Sequence, residues 1–520
     1  MAALPMLMAM VNSRLRTSTY ELFLPLINME EEEVADRTLL INGLYGATDI
    51  LKKEDADKVK AGDFEGLPLA LRERLLLRGH ITCKDKDAEL ADQKLLGRIY
   101  RTVFSRSAIG IIIMPTYDCN FRCPYCFEQH RLHHSQQWLD LNMSPEMIEA
   151  VFKALKEYKD RGSHFNGCTL YGGEPFLAKN IETVRAICRH CKEMGLEIKA
   201  VTNGYELDSF IELLDEFKIK SLHITVDGVG SVNDRMRLHK SGCGTYEKIL
   251  KNIELALQHD IKIKMRVNVN RDNLHRIKDL IDDIKARGLM KYKNYSYYFK
   301  AVNDYDHPEN PIQEHEIIDE LLSIGFTAQE AIEHQNQYSG LSEGIWKLMK
   351  KENYPDFNPC YCGSEAGLMV IDPFGHVYPC TEIVAKEETA TGYVDQETGC
   401  IIWNFDKAKW RTRTSDLMES CLGCPYTFIC RGGCASQAMA AHGSYFRESC
   451  GEFKEITQFV AARAAGRAWE ENHQEELTLS LAGPVSRLTE KDRKTIMETR
   501  SQKEMMNILE KTGFTFKKEK

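Results

Sequence analysis

Between residues 107 and 330, apolar positions follow two alternating periods. Short runs at Ile109–Met114, Cys168–Tyr171, Glu197–Val201, Leu222–Val226, Lys262–Val269 and Tyr295–Val302 predict strands. Between them, Met147, Val151, Leu155 and Tyr158 recur at helical spacing, and Ile181–Met194, Leu207–Phe217, Tyr246–His259 and Ile277–Arg287 repeat that spacing. Ser144 is placed to cap the first of these helices, and Pro145 suits its first turn. Six strand–helix units predict an α/β fold with a parallel sheet and helices outside it. They are fewer than the eight of a closed barrel, so a partial (β/α)6 barrel is expected. Ligands bind at the C-terminal strand ends of such sheets, and the Gly172-Gly173, Asn203-Gly204 and Asp227-Gly228 turns fall there.

Outside this stretch the pattern changes. Over residues 1–105, Tyr20–Leu26 and Thr38–Ile41 read as strands, and Glu54–Lys60, Leu67–Arg78 and Asp87–Val103 as helices. That order predicts a small winged-helix-like module. Over 331–455 cysteines crowd together and periodicity gives way to loops. Residues 456–520 read as a helical extension, with helices at Ile456–Glu470 and Lys491–Leu509 rich in exposed charge. The expected domains are therefore 1–105, 106–330, 331–455 and 456–520.

Charge and composition remove several classes. With 68 Lys+Arg against 77 Asp+Glu, the formal net charge is −9, which argues against a chain that coats nucleic acid or an anionic membrane. Apolar residues make up 43%, enough for large cores and too many for a disordered chain. The apolar start, MAALPMLMAMVN, has no preceding positive charge and is too short to span a bilayer. A soluble cytoplasmic protein with no membrane partner is expected. In a reducing compartment its 17 cysteines read as metal ligands or reactive thiols rather than disulfides.

Two cysteine groups stand out. Cys119, Cys123 and Cys126 form C-x3-C-x2-C directly after the first core strand; chance placement gives about 0.02 such occurrences. Iron–sulfur cubanes are ordinarily held by four thiolates. Three on one loop leave one iron open, much as catalytic metal sites keep a free position. A structural zinc knuckle is the alternative. The second group is Cys421, Cys424, Cys430 and Cys434, expected by chance about 0.0006 times. Cys360, Cys362 and Cys380 precede it and Cys450 follows. Eight cysteines match two four-thiolate clusters, or a pair of zinc sites.

The first group resembles the cluster motif of the radical S-adenosylmethionine (SAM) superfamily, whose members fold as partial (β/α)6 barrels. Tyr171-Gly172-Gly173-Glu174-Pro175 resembles that family's turn after the second strand. The resemblance implies that Gly172, Gly173 and Glu174 bind SAM, with Glu174 on the methionyl ammonium. It also points to Thr225 as a ribose contact and Arg237 as a partner of the SAM carboxylate, although a structural role for these two stands equally open. Cys362, Gly375, Cys380, Cys421, Cys424, Cys430, Cys434 and Cys450 reproduce the spacing of the SPASM extension, which houses two auxiliary [4Fe-4S] clusters. Family connectivity assigns Cys362, Cys380 and Cys434 to the nearer cluster. It assigns Cys421, Cys424, Cys430 and Cys450 to the farther one. Cys360 is a candidate fourth ligand of the nearer cluster, though its C-x-C spacing from Cys362 is tight for one cube. Three [4Fe-4S] clusters and SAM are the cofactors implied.

The same resemblance implies radical chemistry on a peptide or protein, with a one-electron reductant such as flavodoxin or ferredoxin as partner. Anaerobic sulfatase maturases carry an Asp directly after the cysteine equivalent to Cys380, whereas Thr381 stands here. The N-terminal module resembles the leader-recognition element of ribosomal peptide maturases, which adds a leader strand to its own sheet edge. Arg37–Leu40 and Tyr20–Leu26 are the edges expected. A precursor-peptide maturase forming Cys thioether crosslinks is the leading expectation. A formylglycine-generating oxidase and a carbon–carbon crosslinking maturase are the enzyme alternatives, and an iron–sulfur electron carrier or peptide-binding scaffold is the non-enzyme alternative. No residue is singled out as the catalytic base. Among the remaining cysteines, Cys188 and Cys191 fall within a helical pattern and Cys188 reads as core. Cys243 reads as a spacer in a Gly-flanked loop, and Cys83, Cys168 and Cys400 carry no motif.

Overall fold

The structure is a computed structural model and describes residues 15–104, 109–219, 221–302, 311–350, 360–472 and 480–513. The apolar segment 1–12 lies outside them. The chain divides into two compact units, one of residues 1–106, 337–361 and 413–520, the other of residues 107–336 and 362–412.

In the first unit, β1 (Arg16–Thr17) is followed by an antiparallel sheet of β2 (Glu21–Ile27), β3 (Glu33–Asn42) and β4 (Thr48–Lys52), in that spatial order; β5 (Ile81–Thr82) pairs with β1. Alternation gives the sheet two buried faces. Leu22, Leu24 and Leu26 pack with Ala461, Ala464 and Ala465 of helix Phe453–Asn472, and Leu40 and Leu51 pack with Val59 and Leu75 of helices Lys53–Ala61 and Leu69–Arg78. The long helix comes so close that a Cβ on Gly466 would lie 1.7 Å from the Ile27 carbonyl oxygen.

β4 was not expected from the apolar pattern. It is five residues long, and its buried Asp49 breaks the alternation. Asp49 accepts from His80 Nε2 at 2.6 Å and pairs with Arg78, while His80 Nδ1 meets Glu21 at 2.8 Å. β4 changes one expectation. β3 is the central strand, with Arg37–Leu40 paired to Asp49–Lys52 on one side and Thr38–Leu40 paired to β2 on the other. Arg37–Leu40 therefore offers no open edge, whereas β2 remains an outer strand. At the other end of the unit, the helix expected over Lys491–Leu509 is two helices, Glu490–Glu498 and Gln502–Lys511. Thr499 is extended, and the Ser501 side chain caps the second helix by accepting from the Glu504 N–H.

The second unit contains the six parallel strands expected, β6 (Ile109–Ile113), β7 (Phe165–Leu170), β8 (Ile198–Thr202), β9 (Ser221–Thr225), β10 (Lys262–Val269) and β11 (Tyr295–Ala301), side by side in chain order. Helix Pro145–Asp160 starts where expected, with the Ser144 side chain accepting from the Met147 N–H. The sheet then extends beyond the expected barrel. β12 (Met369–Ile371) pairs parallel to β6, and β13 (His376–Tyr378), β14 (Gly392–Asp395) and β15 (Cys400–Trp403) continue it antiparallel. Strands of three or four residues are too short to show a period, so this region read as loops. Tyr117 secures the join: its hydroxyl donates to Asp372 at 3.0 Å and accepts from the Ala385 N–H at 3.0 Å.

Candidate active site

Past β6 the chain enters the first cysteine loop. The Phe121 N–H donates to Cys119 Sγ at 3.3 Å, and the Cys126 N–H donates to the Cys123 carbonyl at 3.1 Å. The Arg122 N–H donates to Leu238 O at 2.7 Å, fixing the loop to the segment that follows Arg237. Burial pushes up the thiols of Cys119 and Cys126, and that of Cys123 to about 11. Thiolates here therefore need a compensating positive charge.

The Gly-Gly-Glu turn abuts this loop. Gly172 has φ +79° and Gly173 φ +44°; Cβ atoms there would lie 2.1 Å from Met114 Cε and 2.3 Å from the Asp118 carbonyl oxygen. Only glycine fits at both positions. The Glu174 carboxylate accepts from the Thr202 hydroxyl at 2.6 Å, the Phe176 N–H at 2.9 Å and the Asn203 N–H at 2.6 Å. Burial raises its carboxyl to about 7 despite these bonds. A carboxylate has about four acceptor positions, so one is left for a ligand.

Thr225 ends β9 and is buried. Arg237 is buried as well; its Nη1 donates to the Tyr125 hydroxyl at 3.0 Å and lies 3.8 Å from Asp227 Oδ2. Tyr125 donates in turn to Asp227 and accepts from Asn268 Nδ2 at 3.2 Å. Cys119, Cys123, Cys126, Gly172, Gly173, Glu174, Thr225 and Arg237 all line a single cavity at the C-terminal strand ends. Tyr125, Glu128, Arg131 and Glu382 line it too, none of them picked out from the sequence, and so does Asn203 of the Asn203-Gly204 turn. Asn203 had a visible signal, an Asn-Gly turn at a strand end. Glu128 and Arg131 had none, because they act through a short turn whose path the sequence does not show.

Residues 113–284 match the Radical SAM superfamily. This chain carries a radical SAM domain. Among curated relatives, the "Cysteine-type anaerobic sulfatase-maturating enzyme" of Clostridium novyi (strain NT) is 22% identical over 346 residues, covering 63% of this chain and 88% of the relative. The "PqqA peptide cyclase" of Bradyrhizobium diazoefficiens is 23% identical over 345 residues, covering 64% and 83%. Among solved structures, "Native anSMEcpe with bound AdoMet and Cp18Cys peptide" superposes with TM-score 0.51 at 18% identity, over 68% of this chain and 97% of that one, a likeness of fold. The radical SAM chain is an enzyme, so the electron-carrier and scaffold readings are set aside.

The radical SAM cavity suits the groups its family uses. Three thiols lie on one wall, and Glu128 Oε1, Arg131 Nε and Arg237 Nε are buried there without partners. Among the described residues, no three His, Cys, Asp or Glu side chains converge on a single-ion site. In the first unit Cys421, Cys430 and Cys450 lie near Cys424 and other cysteines of the group closely enough that neighbouring thiolates disfavour their own ionisation. Burial and these neighbours raise Cys421 to about 11 and Cys430 to about 12. Cys360 and Cys434 belong to the same unit, Cys362 and Cys380 to the other. Gln93 fixes the four-cysteine loop: Nε2 donates to Cys421 O at 3.0 Å and Thr427 Oγ1 at 2.9 Å, and Oε1 accepts from the Gly423 N–H at 3.0 Å and the Tyr20 hydroxyl at 2.6 Å.

The other cysteines lie apart from these groups. Cys168, Cys188 and Cys191 are buried in the barrel wall and Cys83 is exposed. Cys243 is exposed and accepts from the Ser241 hydroxyl at 3.2 Å; hydrogen bonding with Ser241 and Tyr205 holds its thiol below the usual range. No helix among the described residues is long and apolar enough to cross a membrane.

Proposed function

We propose that this radical SAM enzyme modifies a ribosomally made precursor peptide, forming thioether crosslinks between a substrate Cys sulfur and a carbon of another residue. One observation carries the reading: the cysteine loop, the Gly-Gly-Glu turn, Thr225 and Arg237 share one cavity. Cys119, Cys123 and Cys126 would hold a [4Fe-4S] cluster with one open iron, and Glu174 would take the SAM ammonium. When bound, cluster and SAM supply the 5′-deoxyadenosyl radical that removes a hydrogen atom from the substrate. The protein orients SAM through Glu174, Thr225 and Arg237. The buried Tyr125–Asp227 pair fixes the Arg237 side chain behind them.

Cys421, Cys424, Cys430 and Cys450 would hold one auxiliary cluster; Cys362, Cys380 and Cys434, with Cys360 as candidate fourth ligand, would hold another. Three clusters and SAM then serve as cofactors, with a flavodoxin- or ferredoxin-class reductant in the cytoplasm. We place leader recognition in the first 105 residues, on the outer strand β2, where an extended peptide finds unpaired backbone groups. Two relatives support a peptide or protein substrate, being named for sulfatase maturation and for cyclising the peptide PqqA.

A second reading, oxidation of a substrate Cys or Ser to formylglycine, gains from the sulfatase-maturase relative. Glu382 on the cavity wall offers a carboxylate one residue beyond Thr381. Incubation of the reduced, reconstituted enzyme with SAM and a candidate Cys-containing precursor distinguishes the two. The thioether reading expects a product lighter by two hydrogens per link that resists thiol alkylation after reduction. A formylglycine product, a carbon–carbon link or an unchanged mass refutes it.

A further inference from the structure

A guanidinium lies against the first cysteine loop, and the proposed reaction does not use it. Arg131 sits five residues past Cys126 in the turn Gln129–His133, with its side chain 3% exposed. Its Nη1 donates to Cys126 Sγ at 3.4 Å and lies 3.2 Å from Glu128 Oε2. That same Glu128 oxygen accepts from the Gly173 N–H at 2.9 Å. A chain of contacts thus runs from a cluster cysteine through Arg131 and Glu128 to the Gly-Gly turn.

We propose that Arg131 sets the reduction potential of the cluster held by Cys119, Cys123 and Cys126, and that Glu128 holds Arg131 in place and offsets part of its charge. Reduction adds one electron to the cluster. A fixed positive charge in a buried wall stabilises the more negative state, and an N–H···S bond acts in the same sense. Salt screens a buried charge little, so the effect persists at physiological ionic strength. Glu128 carries the opposite sign on the same wall, and its removal should move the potential the other way. The inference rests on the radical SAM reading for the presence of the cluster.

The test is a redox titration of the full-length reconstituted chain with dithionite and mediators, followed by electron paramagnetic resonance. The relevant signal is the one missing when Cys119, Cys123 and Cys126 are all replaced by Ala. In Arg131→Met the reduced-to-oxidised ratio at a fixed potential should fall about ten-fold, which for a one-electron couple is a midpoint 59 mV more negative. Arg131→Lys should fall less, and Glu128→Gln should shift the midpoint upward. Shifts of the same sign in Arg131→Met and Glu128→Gln, or none in either, overturn the proposal and show that the pair only supports the loop. If Arg131→Met does not retain the cluster, Glu128→Gln decides alone: an upward shift supports the proposal, and an unchanged or lower midpoint overturns it. A wild-type chain with no signal dependent on the three cysteines overturns the radical SAM reading itself, a distinct result.

Discussion

Glu174→Gln separates ligand binding from local packing. Replacing the carboxylate should remove the proposed charge-assisted bond to the SAM ammonium, worth about 1.5–3 kcal/mol. At about 1.4 kcal/mol per ten-fold, SAM affinity should fall roughly 10- to 150-fold. The amide has a second effect. Three protein donors converge on the Glu174 oxygens, so the new NH2 group must face at least one of them and leave it unsatisfied. That cost belongs to the fold and would weaken any ligand of the cavity. The assay therefore compares SAM with 5′-methylthioadenosine, which lacks the amino-acid portion, by calorimetric titration of the reconstituted enzyme. Wild-type affinity for SAM should also fall as pH drops below about 7, because burial raises the Glu174 carboxyl to about that value and the ammonium needs it ionised. In Glu174→Gln that pH dependence should vanish. Equal losses for the two ligands, or unchanged SAM affinity, would refute the ammonium contact and leave the turn a purely structural device.

Iron and sulfide analysis should approach about twelve of each per chain, four per cluster. Replacing Cys119, Cys123 and Cys126 by Ala should remove a third of the iron and all SAM cleavage; zinc in its place would contradict the cluster assignment. His80 is buried between Glu21 and Asp49. Burial opposes its charge, but the two carboxylates outweigh that and raise it to about 9. A raised histidine stabilises fully below its ordinary value of about 6.5 and loses that contribution as pH climbs through about 9. The melting temperature should therefore fall between pH 6.5 and 9 in the wild type and not in His80→Gln; parallel profiles would exclude the charged histidine. Gln93→Leu strands four partners, three of them buried, and should cost at least about 2 kcal/mol, with loss of iron from the four-cysteine loop. Full iron retention in that variant would show the loop to be independent of Gln93.

The parallel strands and their helices were legible because strands of five to eight residues display their apolar runs and the intervening helices keep a regular stripe. β12–β15 were not, since three or four residues hold too little pattern, and in β4 the buried Asp49 interrupts the alternation. Within the site, most residues read from the sequence were those in contiguous motifs, Arg237 being the exception. Tyr125 sits inside such a motif, yet its bonds to Asp227, Arg237 and Asn268 join positions more than 100 apart in the chain. Glu128 and Arg131 are ordinary charged residues in sequence, and only the fold turns them toward a thiol.

The shared core of the first unit has a consequence for synthesis. β2 buries Leu22, Leu24 and Leu26 against a helix that begins at Phe453, and Tyr20 and Leu44 belong to a cluster completed by Val485, Ile496 and Leu509. At about 5–20 residues per second, the ribosome needs roughly 20–80 s after making β4 to reach that helix. During this time β2 and β3 carry apolar faces with nothing to cover them, a state prone to aggregation. Expression of this chain should therefore depend on holdase chaperones, and truncation before Phe453 should yield an insoluble product rather than a smaller working enzyme. A gene fusion that transplants the N-terminal hundred residues alone would inherit the same exposed leucines.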